Sequence, residues 1–293
     1  MPEIENRIDE TRLRDFYEEV GEKYPEEEVV YHTLRGKLRK KFVLEFVRGA
    51  KGRFLDVGCN TGVYIREYHN GPAVGVDLAL SVLKKARKSL PQGRENQVHF
   101  VVGSAENLFF LKKYSIDSLI CSEVLEHLFH PQRVFDGFAH VLRPGGQGLL
   151  TTPNYRRTKP EWIETGELKN YAIQGEEYFH TAYRPEELEE MARKAGLRVV
   201  KSGTLEWEIK YATKIPVLIL WTIRAVNRFT FKSTRVESWN LRLFEKLSNL
   251  FYELGHATGL EKIFRLLIKE GVRSFILVEG APNGEEEHAR NRN

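Results

Sequence analysis

Cysteine and methionine are scarce in this chain, with two of each among 293 residues. Cys59 and Cys121 are too few for a disulfide scaffold and fit a reducing compartment. Long apolar runs are missing too. The longest, Ile215 to Ile223, is about half of what a bilayer-spanning helix needs, and it contains Pro216. The acidic stretch from Met1 to Asp15 has no apolar segment of the kind that marks a secretory signal. Neither sign of charge dominates: 45 basic residues against 41 acidic ones leave a net charge of +4. Charge alone therefore does not argue for nucleic acid or a membrane. With 11 Pro, 23 Gly, 41% hydrophobic and 29% charged residues, a collagen, a coiled coil and a disordered chain are all excluded. These absences leave the expectation of a soluble, cytoplasmic, globular protein with one large domain and an embellishment.

What is there is unevenly distributed. From Met1 to Val30 acids outnumber bases eleven to four, whereas from Tyr31 to Arg53 bases lead eight to one. Helical spacing of Leu34, Leu38, Phe42 and Phe46 ends at Gly49. Beyond Arg53, β-type runs alternate with helical ones. Strands are predicted at Phe54–Val57, Ala73–Val76, His99–Val102, Ser118–Cys121, Gly148–Thr151 and Arg198–Lys201. Helices are predicted at Leu80–Ser89, Pro131–Leu142 and Pro185–Ala195. Such alternation predicts an α/β fold, a doubly wound sheet covered on both faces. Ligands of these sheets bind beyond the carboxyl ends of the strands.

The alternation breaks after Glu206, where a helical stretch carries an apolar stripe from Leu243 to Leu254. A last short strand follows at Ser274–Val278. The organisation expected is thus an N-terminal helical lid (1–50), a core (51–205), a helical insertion (206–270), a last core strand (271–283) and a disordered tail (284–293).

At the first strand end, Phe54-Leu-Asp-Val-Gly-Cys-Asn-Thr-Gly62 runs into a glycine-bearing turn. Gly58 and Gly62 allow close approach of backbone to a ligand, and Asn60 tolerates positive φ. Asp77 ends the second strand, where a carboxylate can accept both hydroxyls of a ribose. The G-x-G-x-x-G of a dinucleotide cradle is absent, because Cys59-Asn60 follows Gly58. A nucleoside with a small zwitterionic tail fits better, with Asp56 near an ammonium group.

Five segments in order, Leu55–Gly62, Gly75–Asp77, Gly103–Leu108, Ser122–Leu128 and Leu142–Gly146, make the chain resemble the class I S-adenosylmethionine-dependent methyltransferases. The resemblance implies their seven-stranded Rossmann-like sheet and S-adenosylmethionine as cofactor. It implies that Asp56, Gly58, Cys59 and Gly62 line the methionine end and that Asp77 with Leu78 holds the ribose. It also implies that Ser104, Ala105 and Glu106 flank the adenine and that Ser122 lies close by. Ser104 stands where the family commonly has Asp.

Glu123, Glu126 and His127 come next, and on a helix positions i, i+3 and i+4 share one face. With the distant His180 they could bind Mg²⁺ or another divalent cation. His127 could instead be a catalytic general base assisted by Glu123, or the group could be structural. Glu-x-x-Glu-His with a distal His resembles the metal site of two groups, the ubiquinone-biosynthesis O-methyltransferases and the small-RNA ribose 2′-O-methyltransferases. The Glu/His set favours oxygen acceptors, so O-methylation of a small-molecule or lipid-like hydroxylated acceptor is expected. RNA ribose methylation and a non-catalytic cofactor-binding role on the same fold are the alternatives, with nucleic acid the weaker partner. Tyr17, Tyr24 or Tyr31 is expected to act as a lid residue. For the insertion three roles compete: an acceptor cap, a homodimer surface, or a peripheral contact with lipid or membrane.

Overall fold

A computed structural model describes residues 10–165, 168, 171–173, 177–230 and 232–281. The tail from 284 onward and the first nine residues of the expected lid lie outside the described residues, as does Phe231. The chain divides into two compact units. The first comprises residues up to Glu27, Phe42–Gly203 and the residues from Ser274 on. The second comprises Glu28–Lys41 and Thr204–Arg273.

The first unit is built on a seven-stranded sheet. Its strands are β1 (Phe54–Val57), β2 (Ala73–Asp77), β3 (Val98–Val102), β4 (Ile116–Ser122), β5 (Leu142–Pro153), β8 (Arg198–Leu205) and β9 (Arg273–Glu279). They are ordered β3-β2-β1-β4-β5-β9-β8. The first five pair in parallel, with Asp56 opposite Gly75 and Ser122 opposite Thr151. Gly145 and Gly146 at the start of β5 exchange backbone hydrogen bonds with Gly280, just past the end of β9. The start of β8 likewise meets the end of β9, through the Arg198–Glu279 ion pair. The last strand is therefore antiparallel to both neighbours.

Every residue of β1 is buried, as expected of a parallel strand covered on both faces. The covering helices include α3 (Leu34–Gly49), α4 (Leu80–Lys88), α5 (Pro131–Val141) and α6 (Pro185–Lys194). Val134, Phe135 and Phe138 of α5 and Leu188 and Ala192 of α6 share one core with Leu55, Leu119 and Leu150. At the N-terminus, α1 (Glu10–Lys23) packs on α4: Ser81 N donates to Glu18 Oε1 at 2.9 Å and Lys85 Nζ donates to the Gly21 carbonyl at 2.5 Å.

Three local readings of the sequence need correction. The segment after β4 is one 3-10 turn, Leu125–His127, and not an α-helix. Pro131 follows four residues later and disfavours helical backbone at His130, so there is no room for more. Between β5 and α6 a two-stranded ribbon, β6 (Trp162–Glu164) and β7 (Glu177–Phe179), went unread; three-residue strands carry too little alternation to stand out. β5 also begins at Leu142, well before Gly148. Leu142 pairs with Ile116 and Gln147 with Ser118, so Arg143-Pro-Gly-Gly forms an irregularity within the strand, with Gly145 at φ +74° and backbone hydrogen bonds to Gly280.

The second unit is helical: α2 (Glu26–Val30) and the first turns of α3, then α7 (Ile209–Ala212), α8 (Lys214–Phe229), α9 (Thr234–Ala257) and α10 (Leu260–Leu267). Leu34, Ile209, Tyr211 and Ala212 form its core, with Trp207, Phe251 and Phe264 packed around them. Arg39 is buried here, where it and Arg35 lower the pKa of Glu206. Burial is the larger influence and leaves Glu206 raised to about 7. No described helix is long and apolar enough to cross a membrane.

Gly58 has φ +70°, and a Cβ there would lie 2.2 Å from Val124 Cγ2. Gly93 has φ +85° with nothing within 4 Å. Gly58→Ala is expected to cost about 2–3 kcal/mol and Gly93→Ala about 1 kcal/mol, because only the first adds a clash to the left-handed strain. Thermal midpoints of the two variants check this; equal shifts would remove Val124 from the explanation.

Candidate active site

Four parallel strands deliver polar side chains to one edge of the sheet. β1 supplies Asp56, β2 Asp77, β4 Ser122, and β5 Thr151 and Thr152. Asp77 is held by two loops at once: Oδ2 accepts from Asn60 N at 2.8 Å and Oδ1 from Ala79 N at 3.0 Å. With the Leu78 N–H these make three backbone donors, so of a carboxylate's roughly four acceptor sites about one remains for a hydroxyl. Burial raises its pKa, and the backbone N–H groups of Ala79, Asn60 and Leu78 pull it back. Asn60 adopts φ +46°, and its Oδ1 accepts from Thr61 N at 2.7 Å, which closes the turn on itself. Gly62, at φ +80°, ends the loop by donating to the Cys59 carbonyl. Glu27 hydrogen-bonds Thr61 Oγ1 and pairs with Arg66 at 2.8 Å.

Asp56 is buried, and its Oδ2 has no hydrogen-bond partner. Burial, then the nearby Asp77 charge, pushes its carboxyl up to about 8 against a backbone hydrogen bond from Ile65. A buried acceptor without a donor is costly, and it fits a site built to meet a cationic group. The Cys59 thiol is buried and raised in pKa by that burial; a Cβ at Gly75 would approach its Sγ to 2.8 Å. Ser104, Ala105 and Glu106 follow β3. Glu106 Oε1 accepts from His130 N at 2.9 Å, so this carboxylate caps the start of α5. Ser104 and Glu106 also line an open depression of about 330 Å³ with Asn107, Phe109 and Arg133.

On the other side of Asp56, ligand atoms of Glu126, His127 and His180 all lie within 4.8 Å of one another. The Glu126 carboxylate is buried and accepts from Thr152 Oγ1 at 3.1 Å, and its carbonyl accepts from Thr181 N at 2.8 Å. Glu123 is not in this group. It sits at φ +60°, ahead of the 3-10 turn, and accepts from Thr151 Oγ1, which itself bonds Ser122 Oγ at 2.9 Å. The shared helical face expected for Glu123, Glu126 and His127 therefore does not form. His180 arrives from the end of β7, with its ring 4.9 Å from that of His127.

Burial is the main cause holding His127 down at about 3, with His180 adding to it and a Phe179 backbone hydrogen bond opposing. His180 is lowered by burial as well. Both imidazoles are neutral at pH 7, and Nδ1 of each is buried without a partner. Neutral imidazoles with orphaned nitrogens beside a buried carboxylate are a donor set that fits a divalent transition ion, and fit all-oxygen Mg²⁺ less well. The same depression of pKa makes His127 a weak proton acceptor when it stands alone.

Of the three tyrosines considered as lid residues, Tyr17 reaches the site. Its ring lies 5.6 Å from His127, with Tyr178 6.2 Å from His127 on another side. Tyr24 packs on Tyr171 and Tyr31 lies under Arg39 in the second unit. Phe16, stacked on Tyr178 at 5.6 Å, completes an aromatic wall that sequence reasoning missed. The helical spacing of Phe16 and Tyr17 was visible, but their partner Tyr178 sits on the unread ribbon.

Comparison with known proteins places this geometry. Residues 55–150 match the methyltransferase domain family. The ubiquinone biosynthesis O-methyltransferase of Hydrogenovibrio crunogenus is 31% identical over 175 residues, covering 58% of this chain and 72% of the relative. That of Nitrosococcus oceani is 28% identical over 208 residues, covering 68% and 86%. A chain from the complex of the Haloferax volcanii Trm112 methyltransferase activator with a methyltransferase has the same fold, with TM-score 0.56, 17% identity and coverage of 92% of this chain and 98% of that one. Haemonchus contortus phosphoethanolamine N-methyltransferase 2 superposes with TM-score 0.54 at 16% identity over 92% of this chain and 61% of that one. The chain belongs to the class I S-adenosylmethionine-dependent methyltransferases. It is an enzyme of methyl transfer, with S-adenosylmethionine as its cofactor.

Asp77→Asn is expected to weaken S-adenosylhomocysteine binding at least tenfold, or ~1.4 kcal/mol, in a calorimetric titration. Unchanged affinity would remove Asp77 from the ribose. His127 has a folded pKa of about 3 against an ordinary 6.5, so the unfolded chain binds the extra proton between those values. Stability is therefore lost as pH falls from about 6.5 toward 3. Thermal midpoints across that range should fall less steeply for His127→Gln than for the unaltered protein.

Proposed function

We propose that this methyltransferase acts on a hydroxyl oxygen of a small-molecule or lipid-like acceptor, with a divalent cation held by Glu126, His127 and His180. The observation that carries this reading is the meeting of those three donors beside Tyr17, next to the Asp56–Asp77 end of the site. Relatives named for O-methylation in ubiquinone biosynthesis support an oxygen acceptor. Bound S-adenosylmethionine supplies an activated methyl group, so this chain must align a nucleophile and lower the pKa of its hydroxyl. A cation held by the buried carboxylate and the two neutral imidazoles would withdraw charge from that oxygen. Thr152 and the Thr181 backbone N–H hold Glu126 in place, the kind of support that keeps a ligand oriented. Tyr17 and Tyr178 wall the acceptor from water. Free, buried cysteines suit a reducing, cytoplasmic setting.

Transfer of a radiolabelled methyl group from S-adenosylmethionine into lipid, aqueous-metabolite and RNA fractions tests the acceptor. Label in a base-stable ether of the lipid or metabolite fraction is expected; label in RNA, or on nitrogen, overturns the reading. Glu126→Gln and His180→Asn should each lower kcat by roughly 100-fold while leaving S-adenosylhomocysteine affinity within about twofold. Chelator should abolish turnover and Mn²⁺ or Zn²⁺ restore it; full turnover after chelation would leave the cluster without a metal role.

A further inference from the structure

The helices of the second unit are turned inside out. On α8 the buried positions are Pro216, Leu220 and Asn227, all on one side. Its opposite side presents Ile215, Leu218, Trp221 and Phe229, the last two 68% and 84% exposed. On α9 the buried positions are Asn240, Ser248 and Gly255, whereas Trp239, Leu250 and Leu254 face outward. α10 has no fully buried residue and packs inward through Phe264, and Leu266 and Leu267 are 82% and 75% exposed.

The inner contacts show that this is the packed arrangement of the unit. Asn240 Nδ2 donates to the Leu220 carbonyl at 2.9 Å, and Asn227 bonds both the N–H and the carbonyl of Ser233 at 3.0 Å. A large residue at Gly255 would strike Tyr211, whose ring lies 2.8 Å from a Cβ built there. Polar and small residues thus knit α8 to α9 beside Leu220; Phe251 and Phe264 pack on the core of the unit, and the remaining large apolar side chains are left outside. Because Asn240 meets Leu220, the neighbouring Trp239 and Trp221 stand at the same level of the hairpin.

Charge decides what covers this face. Between Lys214 and Glu270 there are ten basic and five acidic residues. Arg224 and Arg228 on α8, and Arg235, Arg242 and Lys246 on α9, are exposed along the flanks of the apolar faces. A second copy related by a two-fold axis would bring like charges together. Single-stranded RNA would need stacking platforms, and aliphatic Leu and Ile dominate here. A bilayer with anionic headgroups meets both demands: apolar side chains and the paired tryptophans enter the acyl boundary while the guanidinium groups remain at the phosphates. The helices are too short or too polar to cross it, so they lie in its plane.

We infer that α8, α9 and α10 form an interfacial surface that seats this enzyme on anionic phospholipid bilayers. This does not rest on the acceptor chemistry proposed above. Co-sedimentation of the full chain with vesicles of phosphatidylglycerol and phosphatidylcholine should show binding at least about tenfold stronger than with pure phosphatidylcholine vesicles. The triple variant Phe229→Ser, Leu266→Ser, Leu267→Ser alters only exposed side chains, and should lose at least about tenfold in vesicle binding. Its circular dichroism and S-adenosylhomocysteine affinity should stay unchanged, which separates failure of the surface from failure of the fold. Arg224→Glu with Arg228→Glu should erase the preference for anionic vesicles. No vesicle binding by the unaltered chain would overturn the inference, as would a dimer in sedimentation equilibrium that the triple variant dissociates while vesicle binding persists.

Discussion

One carboxylate, Asp77, ties the loops at the ends of β1 and β2 together. Asp77 accepts from the loop after β1 through Asn60 N and from the start of α4 through Ala79 N. Cys59 of the first loop and Ala79 of the second also meet in one small apolar cluster with Val82 and Leu83. The strand order puts β2 beside β1, so the two loops emerge side by side and share one acceptor. The positive φ of Asn60 and the glycine at 58 follow from that: the turn must bend back sharply for its N–H to reach Asp77. Asp56, one strand over, has a raised pKa, chiefly because it is buried and secondly because the Asp77 charge lies near it. The two carboxylates are thereby set apart in task. One is held and positioned by backbone donors, the other is starved of them.

The acceptor end is organised on a different basis. Glu126 is fixed by threonines from β5 and from the approach to α6, and His127 by the 3-10 turn. His180 comes from a ribbon of two three-residue strands. Three elements far apart in sequence therefore converge on a space of a few ångströms. Neutral imidazoles result because the site is walled by Tyr17 and Tyr178 rather than by charge.

Much of this was legible from residue order. The parallel strands from Phe54 to Thr151 announce themselves as apolar runs bounded by Gly58, Asp77 and Gly103, since both faces of such strands must be buried. Asp77 and the glycine loop could be placed on strand ends for the same reason. The 3-10 turn could not, because the distinction from a helix depends on how soon Pro131 arrives and not on any spacing of Glu123, Glu126 and His127. The ribbon bearing Tyr178 and His180 was invisible, as its strands are held by aromatic packing of Trp162 on Phe179 and not by alternation. The apolar excess of residues 215–229 was visible as composition. Its outward direction was not, since that depends on which side Asn227 and Leu220 bury.

The N-terminal helix α1 touches both ends of this site. Glu18 takes the N–H of Ser81 and contributes to the field at Asp77, while Tyr17, one residue earlier, lies against His127. One rigid rod thus reads two compartments through adjacent side chains. A displacement of this helix would therefore be felt at Asp77 and at His127 together, so the two ends of the site share one mechanical neighbour.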